Sequence, residues 1–251
     1  MLSLYLLRHG ETEFSHHDRF CGRIDAPLTA DGREMATLFA AAYGNLSWRA
    51  ITTSTRARAI DSAAPLVAVT GIDACADERL DEMHYGAWQG LSKDEAAAQD
   101  GEYFARWQRD PSIGPPMGES PRDVAARAAA AIEQLRDRHT GGNLLIVSHK
   151  ALLRILLCAL FDTELRHYRC GPSWPAGAVT QVDLGAGGPS VRRFADVAHL
   201  QPPSAPALAR AQLGPSPRPE SAALACGRPR RGARPTSPPR HGPGRQTRRP
   251  A

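Results

Sequence analysis

The first 200 residues of this 251-residue chain predict an α/β fold, a three-layer sandwich with a mostly parallel central sheet flanked by helices. Short runs rich in β-formers alternate with longer stretches of helical period. Leu2 to Leu7 is a near-continuous apolar run, as a strand buried on both faces requires. The opening arrangement of apolar strand and polar turn with a histidine returns at Leu144 to His149, where an apolar helix follows.

Taken in order, the strand Leu2 to Leu7 ends at Arg8. Thr29 is placed to cap a helix through Met35, Leu38 and Phe39. Ala50-Ile51-Thr52-Thr53 reads as a second short strand. Ser120-Pro121-Arg122-Asp123 is a stronger start signal, with a capping hydroxyl, a proline at the first helical position and an acid at the third. The helix it opens is expected to run to about His139, with Val124, Ala128, Ala131 and Leu135 on one face and Gly141-Gly142 as the stop. Leu144 to Val147 reads as a buried strand, Ala151 to Phe161 as a helix, and Val179 to Leu184 and Val191 to Phe194 as closing strands. In parallel α/β sheets ligands bind beyond the carboxyl ends of the strands, so the turns at His9 and His149 stand where chemistry is expected.

Composition narrows the class further. A hydrophobic content of 42% is ordinary for a soluble globular protein. The longest apolar stretch, Ala151 to Phe161, is interrupted by Arg154 and falls well short of the roughly 20 residues that cross a bilayer, so no membrane partner is expected. The start carries neither a basic leader nor a small-residue cleavage site, which points to a cytoplasmic protein. Five scattered cysteines without a Cys-x-x-Cys pair fit neither a disulfide framework nor a zinc site. The net charge of +5 divides into +9 for residues 201–251 and −4 for residues 1–200. That last segment holds ten arginines and twelve of the 21 prolines, and shows no apolar periodicity. It reads as a disordered basic tail, 201–251, beside a folded domain, 1–200, and as a solvated extension rather than an arm for nucleic acid. Composition leaves a homodimer open.

Arg8-His9-Gly10-Glu11-Thr12 stands at the end of the first strand. A phosphate dianion needs cationic donors in fixed geometry, and the planar fork of arginine matches two of its oxygens. A histidine beside it acts as a nucleophile only if a neighbour holds one ring nitrogen as a donor, a task within reach of the Gly10 carbonyl. Three such residues alone are a weak signal.

The longer pattern is specific. Arg8-His9-Gly10-Glu11-Thr12-Glu13-Phe14, Gly22, and Asp25-Ala26-Pro27-Leu28-Thr29-Ala30-Asp31-Gly32 resemble the opening of the histidine phosphatase superfamily, in its phosphoglycerate-mutase-like branch. Three further blocks resemble the family in the same order: Thr53-Ser54-Thr55-Arg56-Ala57-Arg58-Ala59, Leu80-Asp81-Glu82 through Gly90, and Val147-Ser148-His149. The resemblance implies a phosphatase that hydrolyses a small phosphorylated metabolite through a phosphohistidine on His9, with no metal or other cofactor. It implies Arg8 and Arg58 as phosphate clamps with Ser15 and Gly22 beside them, Glu82 as proton donor and His149 as the second histidine. Tyr85, Lys93 and Arg109 match substrate-binding positions, all within a segment near residues 84–118 expected to form a cap. A cofactor-dependent mutase is the alternative, and a non-catalytic phospholigand-binding protein a more distant one. Met83 stands where the mutases carry an arginine, Gln108 replaces a second, and the longer insertion after Met117 is missing, which favours the phosphatase.

Other differences from the family are Ser15 for the usual asparagine, Cys21 for Ser or Thr, and Lys150 for the glycine after the second histidine. Lys150 either adds positive charge at the pocket mouth or faces solvent, the second reading being slightly preferred, and Arg56 and Arg154 read as ordinary helix-face charges. His16, His17, His84 and His167 are read as non-catalytic, and Trp88, Trp107 and Trp174 as packing or wall residues. A chain ending at Leu200 is expected to match the full chain in turnover and melting temperature; a large loss of either would show that the tail docks on the domain.

Overall fold

The computed structural model describes residues 1–170 and 172–201; apart from Gln201, the expected tail lies outside the described residues. The elements, in chain order, are β1 (Leu2–Arg8), α1 (Glu13–His16), α2 (Ala30–Tyr43), β2 (Trp48–Thr53), α3 (Ala57–Thr70), β3 (Ala74–Ala76), α4 (Lys93–Gln99), α5 (Gly101–Arg109), α6 (Pro121–Arg138), β4 (Gly142–Ser148), α7 (Lys150–Leu160), β5 (Val179–Gly185) and β6 (Gly188–Asp196). Short 3-10 turns lie at Glu78–Leu80, Gly86–Trp88, Leu165–Arg169 and Ala198–Leu200. Among the described residues no helix is long and apolar enough to cross a membrane.

The six strands form one sheet in the order β3-β2-β4-β1-β5-β6. Strands β3, β2, β4 and β1 are parallel, and β5 and β6 close the sheet antiparallel beside β1. The three layers follow from the period of two in a strand. Leu4 and Leu6 of β1 and Leu144 and Ile146 of β4 face one core with α6 and α7, whereas Tyr5, Leu7, Leu145 and Val147 face another with Phe39 of α2 and Ala59, Ala63 and Leu66 of α3. The cap belongs to the first core, where Phe20, Tyr85, Trp88, Phe104 and Trp107 pack together.

The start signals act as their chemistry dictates. Ser120 and Asp123 form a reciprocal capping box on α6 with Pro121 in its first turn, and Thr29 accepts from Gly32 N–H at the head of α2. Two elements lacked a sequence signal. Helix α3 contains Pro65, a residue that argues against a helix interior, and the three exposed residues of β3 carry no alternation. Strand β6 extends beyond Val191 to Phe194 because it is an exposed edge, held by backbone pairing rather than burial.

The loop after β1 is pinned by close backbone approach. A Cβ on Gly10 would strike the Gly32 carbonyl, and one on Gly32 would strike the Glu11 carbonyl. Gly10 N–H also donates to Ser62 Oγ of α3 at 2.9 Å, and Thr29 N–H to the Glu11 carbonyl at 2.9 Å. Gly32→Ala is expected to cost about 1–3 kcal/mol through forced separation of α2 from this loop. Gly101→Ala, at a site with nothing within 4 Å of the added atom, is expected to stay within about 0.5 kcal/mol. Denaturant unfolding of both variants checks the contrast.

Candidate active site

Parallel pairing of β1 with β4 sets Arg8 opposite Ser148, and His9 N–H donates to the Ser148 carbonyl at 3.0 Å. His9 and His149 thereby leave adjacent strand ends, their ring centroids 5.1 Å apart. Helix α2, downstream of β1, packs on one face of the sheet and α7, which follows β4, on the other, so a crevice opens between the two ends.

His9 Nδ1 lies 2.7 Å from the Gly10 carbonyl. A carbonyl only accepts, so Nδ1 carries the proton and Nε2 keeps its lone pair. Burial, and then the charges of Arg58 and Arg8, push the His9 pKa well below the usual histidine range. His149 is fully buried and likewise pushed down, first by burial and then by Arg58.

Hydrogen-bond polarity around His149 is dictated from outside the ring. Asp81 is an acceptor, so Ser54 Oγ donates to it at 2.7 Å and accepts from His149 Nε2–H at 2.7 Å. His149 Nδ1 then accepts from Arg58 Nε–H at 3.2 Å. Arg56 grips Asp81 through Nε at 3.0 Å and Nη2 at 2.6 Å. Burial opposes the Asp81 charge, but the bonds from Ser54, Arg56 and Thr55 prevail and hold its carboxyl below the usual range. Arg56 is therefore not the helix-face charge that its position suggested. As the residue before α3, it turns its side chain to Asp81, the acceptor that also holds Ser54 and Thr55 just past the end of β2.

Arg58, fully buried, donates to the Ile24 carbonyl at 2.7 Å and the Gly22 carbonyl at 2.8 Å. Gly22 thus braces Arg58 through its carbonyl and is not among the residues lining the cavity. Arg8 Nη1 donates to the Trp174 carbonyl at 2.6 Å, and burial, partly offset by Glu82, lowers its pKa to about 10. Ser15 shares a capping box with Thr12 at α1, and both line the cavity.

Glu82 sits at the head of α7. Its Oε1 accepts from Met83 N–H at 2.9 Å and Leu152 N–H at 3.1 Å, and Oε2 from Ala151 N–H at 3.3 Å. The helix start supplies orphan donors that orient this 8%-exposed carboxylate, and Oε2 keeps a lone pair able to carry a proton.

Arg8, His9, Arg58 and Glu82 share one cavity of about 360 Å³. His149 is not among its lining residues and stands behind Arg58. Tyr85 and Lys93 line the cavity as expected, with the Tyr85 ring tilted against Phe20 at a centroid distance of 4.6 Å. Arg109 does not. It is exposed at the end of α5, where the helical period turns Trp107 and Gln108 to the cavity and Arg109 outward, its Nε bonded to the Ala105 carbonyl. Two other expectations fail in the opposite direction. Lys150 and Arg154 both line the cavity, Lys150 reaching Asp18 at 3.2 Å and Arg154 the Pro172 carbonyl at 2.7 Å. Asp18 also holds Lys93 at 2.5 Å. Arg169, which no motif flagged, lines the wall over the Trp107 ring at 4.0 Å, and its adjacency to Tyr168 is the one trace that the sequence offered. Among the described residues no group of His, Cys, Asp and Glu side chains is arranged to hold a metal ion.

The model of the histidine phosphatase superfamily (branch 1) matches residues 4–197. The first curated relatives include a bifunctional protein of Mycobacterium tuberculosis, 37% identical over 163 residues, 63% of this chain; the chain spans only 44% of that relative's length. The glucosyl-3-phosphoglycerate phosphatase of M. tuberculosis is 32% identical over 181 residues, 69% of this chain and 78% of that protein. A probable phosphoglycerate mutase of Escherichia coli is 29% identical over 226 residues, 84% of this chain and 100% of that protein. Among solved structures, Bacillus stearothermophilus YhfR aligns with a TM-score of 0.74 and 35% identity, over 80% of this chain and 100% of that one. The paired strand-end histidines, the two buried arginines beside them and the match over residues 4–197 lead to one conclusion: the chain belongs to the histidine phosphatase superfamily, branch 1.

Proposed function

We propose that this chain is a phosphatase that hydrolyses a small phosphate monoester through a phosphohistidine on His9, with residues 1–200 as its catalytic unit. The observation that carries the reading is the His9 ring, with Nδ1 bonded to the Gly10 carbonyl and its pKa depressed, in one cavity with two arginines and a carboxylate.

In the first half-reaction His9 Nε2 attacks phosphorus in line, and the ester P–O bond breaks. Arg8 and Arg58 neutralise the phosphoryl oxygens, and most of the rate gain comes from that positioned charge in a water-poor site. His149 acts through Arg58, whose Nε–H its Nδ1 accepts. Glu82 Oε2 gives its proton to the leaving oxygen. In the second half Glu82 takes a proton from water, the water oxygen bonds to phosphorus, and the N–P bond breaks to regenerate His9.

Brief incubation with substrate is expected to trap an acid-labile, base-stable phosphoprotein, absent in His9→Ala together with turnover. Near-normal turnover by His9→Ala would sink the assignment. Glu82→Gln is expected to slow alkyl phosphates more than activated aryl phosphates, whose departure needs little protonation; Arg8 or Arg58 truncation is expected to slow all esters alike. An adduct cleaved slowly by water and quickly by a phosphoglycerate would shift the reading to a mutase.

Burial of neutral His9 also sets a pH dependence. Its pKa in the folded chain lies below the unfolded value of about 6.5, so the unfolded state binds more protons as pH falls. Stability is expected to drop below about pH 6.5, by up to about 1.4 kcal/mol per pH unit for such a group. His9→Gln is expected to lose less melting temperature than the parent between pH 7 and 5, and an equal loss would refute the linkage.

A further inference from the structure

The stretch from Arg79 to Glu82 leaves the 3-10 turn Glu78–Leu80 and joins no strand, so its carbonyls need partners from elsewhere in the fold. Side chains supply all four. Ser148 Oγ donates to the Leu80 carbonyl at 2.7 Å. Arg127 of α6 takes the others, through Nη1 to the carbonyls of Arg79 at 2.8 Å and Asp81 at 2.7 Å, and through Nη2 to that of Glu82 at 3.3 Å.

A second edge of the same guanidinium is bound to Glu119, just ahead of α6. Nε and Nη2 each lie 3.0 Å from one of its oxygens. The five N–H donors of Arg127 thus meet five acceptors. Glu119 is joined in turn to the chain beyond Glu82. Its Oε2 accepts from His84 N–H at 2.9 Å, and its own N–H donates to the His84 carbonyl at 2.9 Å. The two segments approach so closely that a Cβ on Gly118 would strike the His84 carbonyl. Arg127 and Glu119 therefore fasten the chain to the head of α6 on both sides of Glu82.

The fastening bears on chemistry through the Glu82 side chain, which bridges two helices. Its carboxylate is oriented by the N–H groups of Ala151 and Leu152 at the head of α7, whereas its backbone is held from α6. The distance between those two anchors sets how far Oε2 reaches into the cavity. A misplacement of about 1 Å in a reacting group costs on the order of a hundredfold in rate.

We propose that Arg127 is a positioning residue for the carboxylate that transfers the proton, fixing the Glu82 backbone so that Oε2 meets the leaving oxygen. The proposal rests on the phosphatase reading above, and adds to it a residue that is not among those lining the cavity. Both side chains of the Arg127–Glu119 pair are only 19% exposed, so the pair also bears on stability, and its role in proton transfer is read from leaving-group dependence.

The test measures kcat/KM, which reports the first half-reaction, for p-nitrophenyl phosphate, phenyl phosphate and glycerol 3-phosphate. A well-placed acid protonates the leaving oxygen as it departs, whereas a displaced one leaves charge there and penalises poor leaving groups. Arg127→Gln is expected to lower the ratio of glycerol 3-phosphate to p-nitrophenyl phosphate by about tenfold, as a sub-ångström misplacement would. In a Glu82→Gln background the same substitution is expected to leave the ratio where it is, because no proton transfer remains to be misplaced. Arg127→Lys, which keeps the charge without the fork, is expected to recover part of the loss. An equal fall for all the esters would mark the clamp as purely structural and overturn the proposal. A further drop in the Glu82→Gln background, or full recovery by Arg127→Lys, would overturn it as well. Should Arg127→Gln fail to fold, Arg127→Lys decides by the same ratio. His9-dependent hydrolysis of p-nitrophenyl phosphate tests the catalytic reading by itself. If no ester is turned over, that reading fails, and amide exchange in the folded Arg127 variant decides the clamp. Faster exchange at Met83, Ala151 and Leu152 with Leu153 unchanged upholds it; unchanged exchange at all of them overturns it.

Discussion

The hydrogen bond from His9 N–H to the Ser148 carbonyl extends the β1–β4 ladder one residue beyond β1, and the site depends on that extension. A parallel pair in register delivers both strand ends to the same edge of the sheet. The first residues past those ends are the two histidines. A slip of one residue in this register would turn Leu4 and Leu6 from the α6/α7 core toward the α2/α3 core, so the alternating burial of β1 holds the histidines together as firmly as the bond does.

What gathers at this edge is electrostatically costly. Arg8, Arg58 and two histidines lie buried together, and the histidines remain neutral because protonation beside the arginines in a poorly solvated site is unfavourable. The arginines are held by carbonyls at Gly22, Ile24 and Trp174, which satisfy donors without neutralising charge. Positive potential is thereby kept for an incoming anion. The charge on Asp81, held by Arg56, reaches the site only through Ser54, where it orders hydrogen-bond direction and leaves His149 as an acceptor. Such a pocket is paid for by the two apolar cores on either side of the sheet.

The cavity rim obeys a different rule. Asp18, with a left-handed φ of 47°, draws Lys93 from the cap and Lys150 from the head of α7 to a single point. The cap is thus tied to the catalytic layer by ion pairs at the mouth as well as by the aromatic cluster beneath it. These exposed pairs are worth little as stability. Their consequence is placement, since they bring three charges to the edge of a cavity that already holds the arginines.

The sequence by itself determined the layers and the strand-end chemistry, because both are local. The continuous apolar run of Leu2 to Leu7, the capping box at Ser120 and the Arg8-His9-Gly10 turn express preferences of the residues that carry them, and neighbours in space agree with those preferences. Tertiary structure alone decided which charges face the cavity. Arg109, two residues after Trp107, and Arg169, next to Tyr168, are both cations close to an aromatic residue in the sequence, yet the helical period sends one to solvent and ring stacking fixes the other in the wall. Arg56, Lys150 and Arg154 are equally undistinguished in the sequence, and each acquires its place from a partner at Asp81, Asp18 or Pro172. A long cationic side chain reaches several ångströms in any direction its rotamers allow, so its role depends on the acceptor that meets it, and that acceptor lies far away in the chain.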